Sequence, residues 1–386
     1  MSDRSTADVV ELARRLVNEP SENPPGEEAG VAAVLRDRLE SSPVEFSVET
    51  TEVLPDRPNV VATAGDPSRG HVLLTGHTDV VPADPDQWTG HPYELATTDG
   101  RLVGRGISDM KGSLAAKVVA AESYLSRTAD PGAVTLAFVV DEEHLGRGTQ
   151  ALVADGVEAE YAILGEPSRL DVCVAQKGVV RYRVTVEGES AHSGTPDEGR
   201  NAISGARRLA DRFESLDARR RSETDHRHLT PETVTVTEIE GGTAPNVVPD
   251  VATLTVDWRT LPTEGRSPEP YDETVDRICS AVRAETALSI EAERTVFARG
   301  VEVDPDHELV TELLKSASDV DVDASAVGFN AATDARFLVH EAGVPTVLFG
   351  PGSIADDAHT VDESIDRTAL SDTVSTYERA LERLLD

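Results

Sequence analysis

Five short apolar runs limit what this chain can fold into. They are Asn59 to Ala64, His71 to Thr75, Ala133 to Val140, Tyr161 to Leu164 and Val344 to Phe349, none longer than eight residues. Runs of that length suit strands buried on both faces and are too short for buried helices. Helical patterns surround them: Ala7 to Asn18 and Val31 to Glu40 before the first, Lys111 to Arg127 after the second, and about Ser364 to Leu385 at the end. Strands alternating with helices predict an α/β layered domain on a central, mostly parallel sheet.

The middle of the chain has a different rhythm. Val179 to Glu187 alternates apolar and polar, as a half-exposed strand does. A helix from about Arg200 to Leu216 follows, then strands at Thr233 to Ile239 and Val251 to Trp258, a helix near Asp272 to Ala284 and a strand near Leu288 to Arg294. That order is ferredoxin-like. At 386 residues the chain exceeds one ordinary domain. The expectation is a discontinuous outer domain, residues 1–177 and 298–386, with an inserted α+β domain at 178–297. The Pro-rich stretches Pro262 to Pro270 and Asn23 to Gly26 read as loops.

Net charge is -35, which argues against nucleic acid and anionic membrane as partners, because both repel such a surface. Lysine occurs only at Lys111, Lys117, Lys177 and Lys315. An acid-rich, Lys-poor surface suggests a halophilic protein working in concentrated salt, where self-repulsion is screened. There is no apolar stretch of the roughly 18 residues a membrane span needs, nor an apolar leader, so the expected location is cytoplasmic. The two cysteines, Cys173 and Cys279, form no CxxC pair, so any metal must be held by His, Asp and Glu.

Acids and histidines gather where the apolar runs end: His77 and Asp79, then Asp141 to His144, then Glu166, then Asp357 to His359, with Asp109 just ahead of a helix. Singly, each is ordinary. Asp109 could be an N-cap and Glu142-Glu143 a solvated turn. Together they occupy the sheet edge where ligands bind in open α/β folds. Carboxylates on one rim repel each other unless a cation sits among them, which points to a metal site with O and N ligands. His77 and Asp79, two apart in an extended chain, point the same way, as a ligand imidazole and its orienting carboxylate do.

The segments GHTDVVP (76–82), GRGISDMKG (104–112), VVDEEHLGRGT (139–149), LGEPS (164–168) and DDAHTVDE (356–363) resemble the family-M20 metallopeptidases. SAHSGTPDEGRNAI (190–203) and GGTAPNVVPD (241–250) are similar to that family's lid motifs. The resemblance implies a zinc-aminopeptidase-like catalytic domain with a lid and dimerisation domain, and a homodimer formed through the lid. It implies two divalent ions, Zn2+ with Co2+ able to substitute. His77 and Glu166 would hold one, Glu143 and His359 the other, with Asp109 between them. It gives Asp79 the task of orienting His77, Glu142 that of general base and His192 that of oxyanion donor from the lid. It also implies a cis Asp109–Met110 peptide.

Arg336, within Asn330 to Arg336, matches a family loop that grips a substrate carboxylate, and Arg259 and Asn246 are lid candidates for the same work. The expected substrate is a small N-acyl amino acid. N-succinyl-LL-diaminopimelate leads, although desuccinylases usually carry Gly and Ser in the loop that here is Asn330 to Asp334. N-acetylornithine and a dipeptide or carboxypeptidase substrate are the alternatives. HExxH, GxSxG and GxxxxGK are all absent, against zincins, serine hydrolases and phosphate loops. A non-catalytic binding protein on this fold is disfavoured because the five ligand positions and Glu142 are all present.

Overall fold

The computed structural model describes residues 3–262 and 267–385, so residues 263–266 of the expected Pro262 to Pro270 loop lie outside the described residues. The chain divides into two compact units. One comprises the chain up to Val174, Val303–Val327 and the chain from Thr333 onward; the other comprises Ala175–Glu302 and Gly328–Ala332.

The first unit is built on a sheet whose strands lie in the order Ser47–Leu54, Arg57–Ala64, Gly132–Val139, Asp66–His77, Tyr161–Leu164, Thr346–Leu348 and Val172–Gln176. The central strands, Gly132–Val139 through Thr346–Leu348, are parallel. The strand holding Asn59 to Ala64 runs antiparallel to its neighbour Gly132–Val139, unlike the other four runs. A tight turn through Asp56 (φ 59°) joins it to Ser47–Leu54, which adds an antiparallel edge. Side chains alternate across the sheet. Val72 and Leu74 enter a core with residues of the helices Asp3–Val17, Gly112–Arg127, Glu308–Ser318 and Arg367–Leu385. Leu73 packs on the opposite face with Leu152 and Leu338. The result is a three-layer α/β/α unit whose parallel strands all end on one edge.

The helix expected from Ser364 begins instead at Arg367. Ser364–Asp366 is extended and pairs antiparallel with Arg101–Val103, in a three-stranded sheet completed by Ala96–Thr98. Burial of β-branched Ile365 (1% exposed) explains why the chain stays extended here.

In the second unit the strands lie in the order Thr233–Gly241, Val251–Thr260, Gly178–Glu187, Ser289–Ala298, all antiparallel. With the helices Ala202–Glu223 and Glu269–Thr286 this is the ferredoxin-like order. Val180, Tyr182, Val184 and Val186 pack under Leu209, Phe213 and Val275, while Arg181 and Arg183 stand on the other face. Asn201 caps the first helix by accepting from the Ser204 amide at 3.2 Å.

Against 71 acids stand 36 bases, so 35 carboxylates (71 − 36) stay uncompensated even if every base were paired. Salt weakens the surface ion pairs, but it relieves the larger net repulsion. The melting temperature is therefore expected to rise between about 0.1 M and several molar KCl, where the screening length falls from about 10 Å to below about 3 Å. Differential scanning calorimetry across that range checks this; a melting temperature that stays flat or falls contradicts it.

Candidate metal centre

The strand ends deliver the site. His77 is the last residue of Asp66–His77, Glu142 and Glu143 follow Gly132–Val139, and Glu166 follows Tyr161–Leu164. Asp109 lies between the short strand Arg101–Val103 and the helix Gly112–Arg127, beyond a turn at Gly106 (φ 81°) that favours glycine. The Asp109–Met110 peptide is cis. Gly165 lets the chain pass close to that helix: a Cβ there would lie 2.2 Å from Ser113 Oγ. His359 sits in the loop after Thr346–Leu348.

Asp109 stands between two imidazoles. His77 Nε2 is 2.9 Å from Asp109 Oδ1, and His359 Nε2 is 3.4 Å from Asp109 Oδ2 and 2.9 Å from Glu143 Oε1. One ligand atom from each of His77, Asp109 and Glu143 lies within 4.8 Å of the others. His77 Nδ1 donates to the main-chain carbonyl of Asp79 at 2.9 Å, so its one neutral-state proton is already committed. A neutral His77 would then aim a lone pair at a carboxylate lone pair. The contact needs a proton or a cation between the two atoms.

The electrostatics of these side chains say the same. Burial alone would push His77 down, but Asp109 and Asp79 hold it well above the usual histidine range. Burial would raise Asp109, yet His359 and His77 hold it well below the carboxylate range. Burial, then Asp334, drives Glu142 well above that range. Burial, then Asp109, pushes Glu166 up to about 8. Glu166 is 3% exposed, and its Oε1 has no hydrogen-bond partner among the described residues. An unpartnered, buried carboxylate oxygen beside an imidazole–carboxylate cluster fits a divalent cation held by N and O donors.

Asp79 works differently from the sequence expectation. Its carbonyl, not its carboxylate, takes the His77 proton; the nearer carboxylate oxygen is 3.6 Å from Nδ1. The carboxylate accepts the amides of Glu142 (3.2 Å) and Glu143 (3.1 Å) and the side chain of Asn23 (2.9 Å). Asn23 also donates to Asp141 at 3.1 Å, and Arg57 joins Asp141 to fully buried Glu28. Sequence reasoning missed Asn23, Glu28 and Arg57, and placed Asp141 in the acidic cluster without giving it a role. Asn23 stood in a Pro-rich segment that reads only as a loop, and its role shows only through contacts 56 and 118 residues away.

Arg336 is half-buried, donates to the Thr333 carbonyl at 3.1 Å and lies 4.3 Å from the Phe337 ring centre. In the second unit His192 is exposed and pairs as an isolated bridge with Val247. Its Nδ1 accepts the Gly194 amide at 3.0 Å, so the neutral ring carries its proton on Nε2. Asn246 is exposed, and its carbonyl accepts the Ser193 amide at 3.0 Å. Arg259 is half-buried and bound to Asp257 at 2.7 Å, a carboxylate it shares with Arg181.

A cluster of imidazole and carboxylate groups that could hold a metal ion at the strand ends of an α/β unit, with a carboxylate pair at its edge, has the donors a metal-dependent hydrolase requires. Comparison with known proteins agrees. Residues 73–383 match the model of peptidase family M20/M25/M40. An acetylornithine deacetylase of Myxococcus xanthus is 35% identical over 82% of each chain. A succinyl-diaminopimelate desuccinylase of Variovorax paradoxus (strain S110) is 28% identical over 97% of each. The aminopeptidase PepT of Bacillus cereus has the same fold, with a TM-score of 0.81 at 20% identity over 99% of both chains. So does a dinuclear metal-binding M20 peptidase of Bacillus subtilis, with a TM-score of 0.73 at 17% identity over 99% of both. The chain belongs to peptidase family M20/M25/M40 and is a metal-dependent hydrolase of amide bonds. Among the described residues no helix is long and apolar enough to cross a membrane.

The metal-free protein has a defined pH response. Glu166, raised to about 8, holds in the folded state a proton that an unfolded carboxyl loses near 4.5. His359, raised to about 10 by its hydrogen bonds to Asp109 and Glu143, keeps a proton that an unfolded histidine loses near 6.5. Buried Lys111, lowered to about 7, and Lys117 act in the opposite sense. His77 and Glu142, both held well above their ordinary ranges, add to Glu166 and His359. The folded state therefore binds more protons across this window, and stability falls as pH rises. The melting temperature of chelated protein in fixed high salt is expected to fall from about pH 6 to about pH 9, and added divalent metal to flatten the slope. A metal-free melting temperature that rises over this range contradicts the site electrostatics.

Proposed function

We propose that this chain is a di-zinc deacylase that hydrolyses the amide bond of a small N-acyl amino acid, with N-succinyl-LL-diaminopimelate as the leading substrate. The observation that carries the reading is Asp109 flanked by His77 and His359. A carboxylate with an imidazole on each of its oxygens suits a bridge between two ions. His77 and Glu166 would hold one, Glu143 and His359 the other. Zinc, with cobalt able to replace it, would polarise the scissile carbonyl and make water nucleophilic near neutral pH.

The chain's own residues do the rest. Glu142 takes a proton from water as its oxygen adds to the carbonyl carbon. It returns that proton to the amide nitrogen as the C–N bond breaks; the proton still on the new carboxyl group then passes to the amine, leaving a carboxylate and an ammonium group. Through Asp79, which holds the Glu142 and Glu143 amides, the base and its neighbouring ligand keep a fixed spacing. His192, whose Nε2–H is left as a donor, stabilises the tetrahedral oxyanion from the lid unit of a homodimer. Arg336 pairs with the substrate carboxylate, its guanidinium steadied by Thr333 and Phe337. Arg259 and Asn246 contribute from the lid.

The end-to-end similarity to the desuccinylase of Variovorax paradoxus supports the succinyl reading. The higher identity to the Myxococcus xanthus deacetylase supports a second reading, N-acetylornithine deacetylation. The acid-rich surface suits work in concentrated salt in the cytoplasm.

Glu142→Gln is expected to lower kcat by at least the roughly 10²–10⁴-fold typical of general acid–base catalysis, with metal content unchanged. Loss of metal in that variant would make Glu142 a ligand instead of the base. His192→Ala is expected to lower kcat by about 10²–10³-fold with a smaller change in KM; a pure KM effect contradicts the oxyanion role. Amine release in high salt with zinc should be fastest with N-succinyl-LL-diaminopimelate, then N-acetylornithine, and weak with dipeptides and with amidated substrates. Efficient cleavage of the amidated forms would overturn the Arg336 assignment.

A further inference from the structure

The last residue of the 356–363 segment has no role in the reaction as derived so far. Glu363 is 1% exposed. Its Oε1 accepts the amides of Ser108 (2.8 Å) and Asp109 (3.1 Å). Its Oε2 accepts the amide of Gly106 (3.0 Å) and Nη1 of Arg105 (2.7 Å). Four donors fill the roughly four acceptor sites of a carboxylate. Three of them are main-chain amides of the loop that carries Asp109, and one is the amide of Asp109 itself. The Glu363 carbonyl also accepts the Gly104 amide at 2.9 Å.

Glu363 stands four residues beyond His359 and directly before Ser364–Asp366, the strand that pairs with Arg101–Val103. The segment leaving His359 therefore runs back along the segment entering the Asp109 loop. At the far end of this pairing the two ligand side chains meet, with 3.4 Å between His359 Nε2 and Asp109 Oδ2. A buried carboxylate near other buried carboxylates is electrostatically costly. A purely structural staple could use a neutral group, but only a carboxylate accepts all four donors at once. In a glutamine the amide NH2 would face N–H donors and repel them.

We propose that Glu363 is a positioning residue of the metal centre, fixing Asp109 against His359 so that the shared carboxylate can meet both ions. This rests on the two-ion reading above. The test uses full-length protein, chelated and then titrated with Co2+ in high salt, followed by calorimetry and visible absorption. Wild-type protein should bind Co2+ tightly. Glu363→Gln should bind it about 10–100-fold more weakly, the loss typical when a ligand's supporting partner is removed, with an altered Co2+ absorption band.

Glu232→Gln serves as the control for mere destabilisation. Glu232 is a buried carboxylate of the second unit that binds Arg220 and Trp258. Its variant should lower the melting temperature and leave Co2+ affinity and spectrum unchanged. Arg105→Gln keeps Glu363 and the loop amides but removes one donor, so a smaller loss of affinity is expected. It decides the matter should Glu363→Gln not fold. Wild-type affinity and spectrum in Glu363→Gln, or in Arg105→Gln if that variant alone folds, would overturn the positioning role while leaving the metal centre standing. Failure of wild-type protein to bind Co2+ would overturn the metal reading and this proposal with it.

Discussion

Asp109 has an imidazole at each of its carboxylate oxygens, half-buried Glu143 shares one of those imidazoles, and buried Glu166 feels the charge of both acids. Without a positive charge in the centre this arrangement is costly, since each acid is desolvated and repelled by its neighbours. The rest of the first unit can be understood as the means of holding that arrangement. Parallel strands end on one edge, so His77, Glu143 and Glu166 leave the sheet side by side. The helix Gly112–Arg127 packs its Ser113 against Gly165, which brings the Glu166 turn down onto the Asp109 segment.

Two other carboxylates act on the main chain. Asp79 gathers the amides of Glu142 and Glu143, and Glu363 gathers those of Gly106, Ser108 and Asp109. Loops are otherwise the mobile parts of an α/β fold, and a site spread over several loops needs each held to a fraction of an ångström. Amides turned onto a buried anion give that rigidity without using a ligand atom. Asn23, Arg57 and Glu28 extend the support toward the start of the chain, which explains why Asn23 is buried although Pro24 and Pro25 beside it are exposed.

The sheet and the site were legible in the sequence to different depths. The strand cores around Leu73, Leu136 and Ile163 showed as apolar runs because burial on both faces leaves no other option. His77, Glu143, Glu166 and His359 drew notice because acids and histidines follow those runs, and Asp109 because its segment resembles a family motif; the structure brings His77, Asp109, Glu143 and His359 within reach of one another. What stayed hidden depends on tertiary partners. Ser364–Asp366 read as helix because its extended state comes from pairing with Arg101–Val103. The strand Ser47–Leu54 lies mostly exposed on the sheet edge and has no apolar run to mark it. The task of the Asp79 carboxylate was misjudged because spacing predicts which way a side chain points, while its hydrogen-bond partners come from a loop more than sixty residues away.

The proposed function depends on two cations flanking Asp109. The most direct test is anomalous diffraction at the zinc absorption edge from crystals of metal-loaded protein. Two peaks are expected, one beside His77 and Glu166 and the other beside Glu143 and His359, with the Asp109 carboxylate between them. A single peak at full occupancy, or two peaks that Asp109 does not touch, would contradict the central claim.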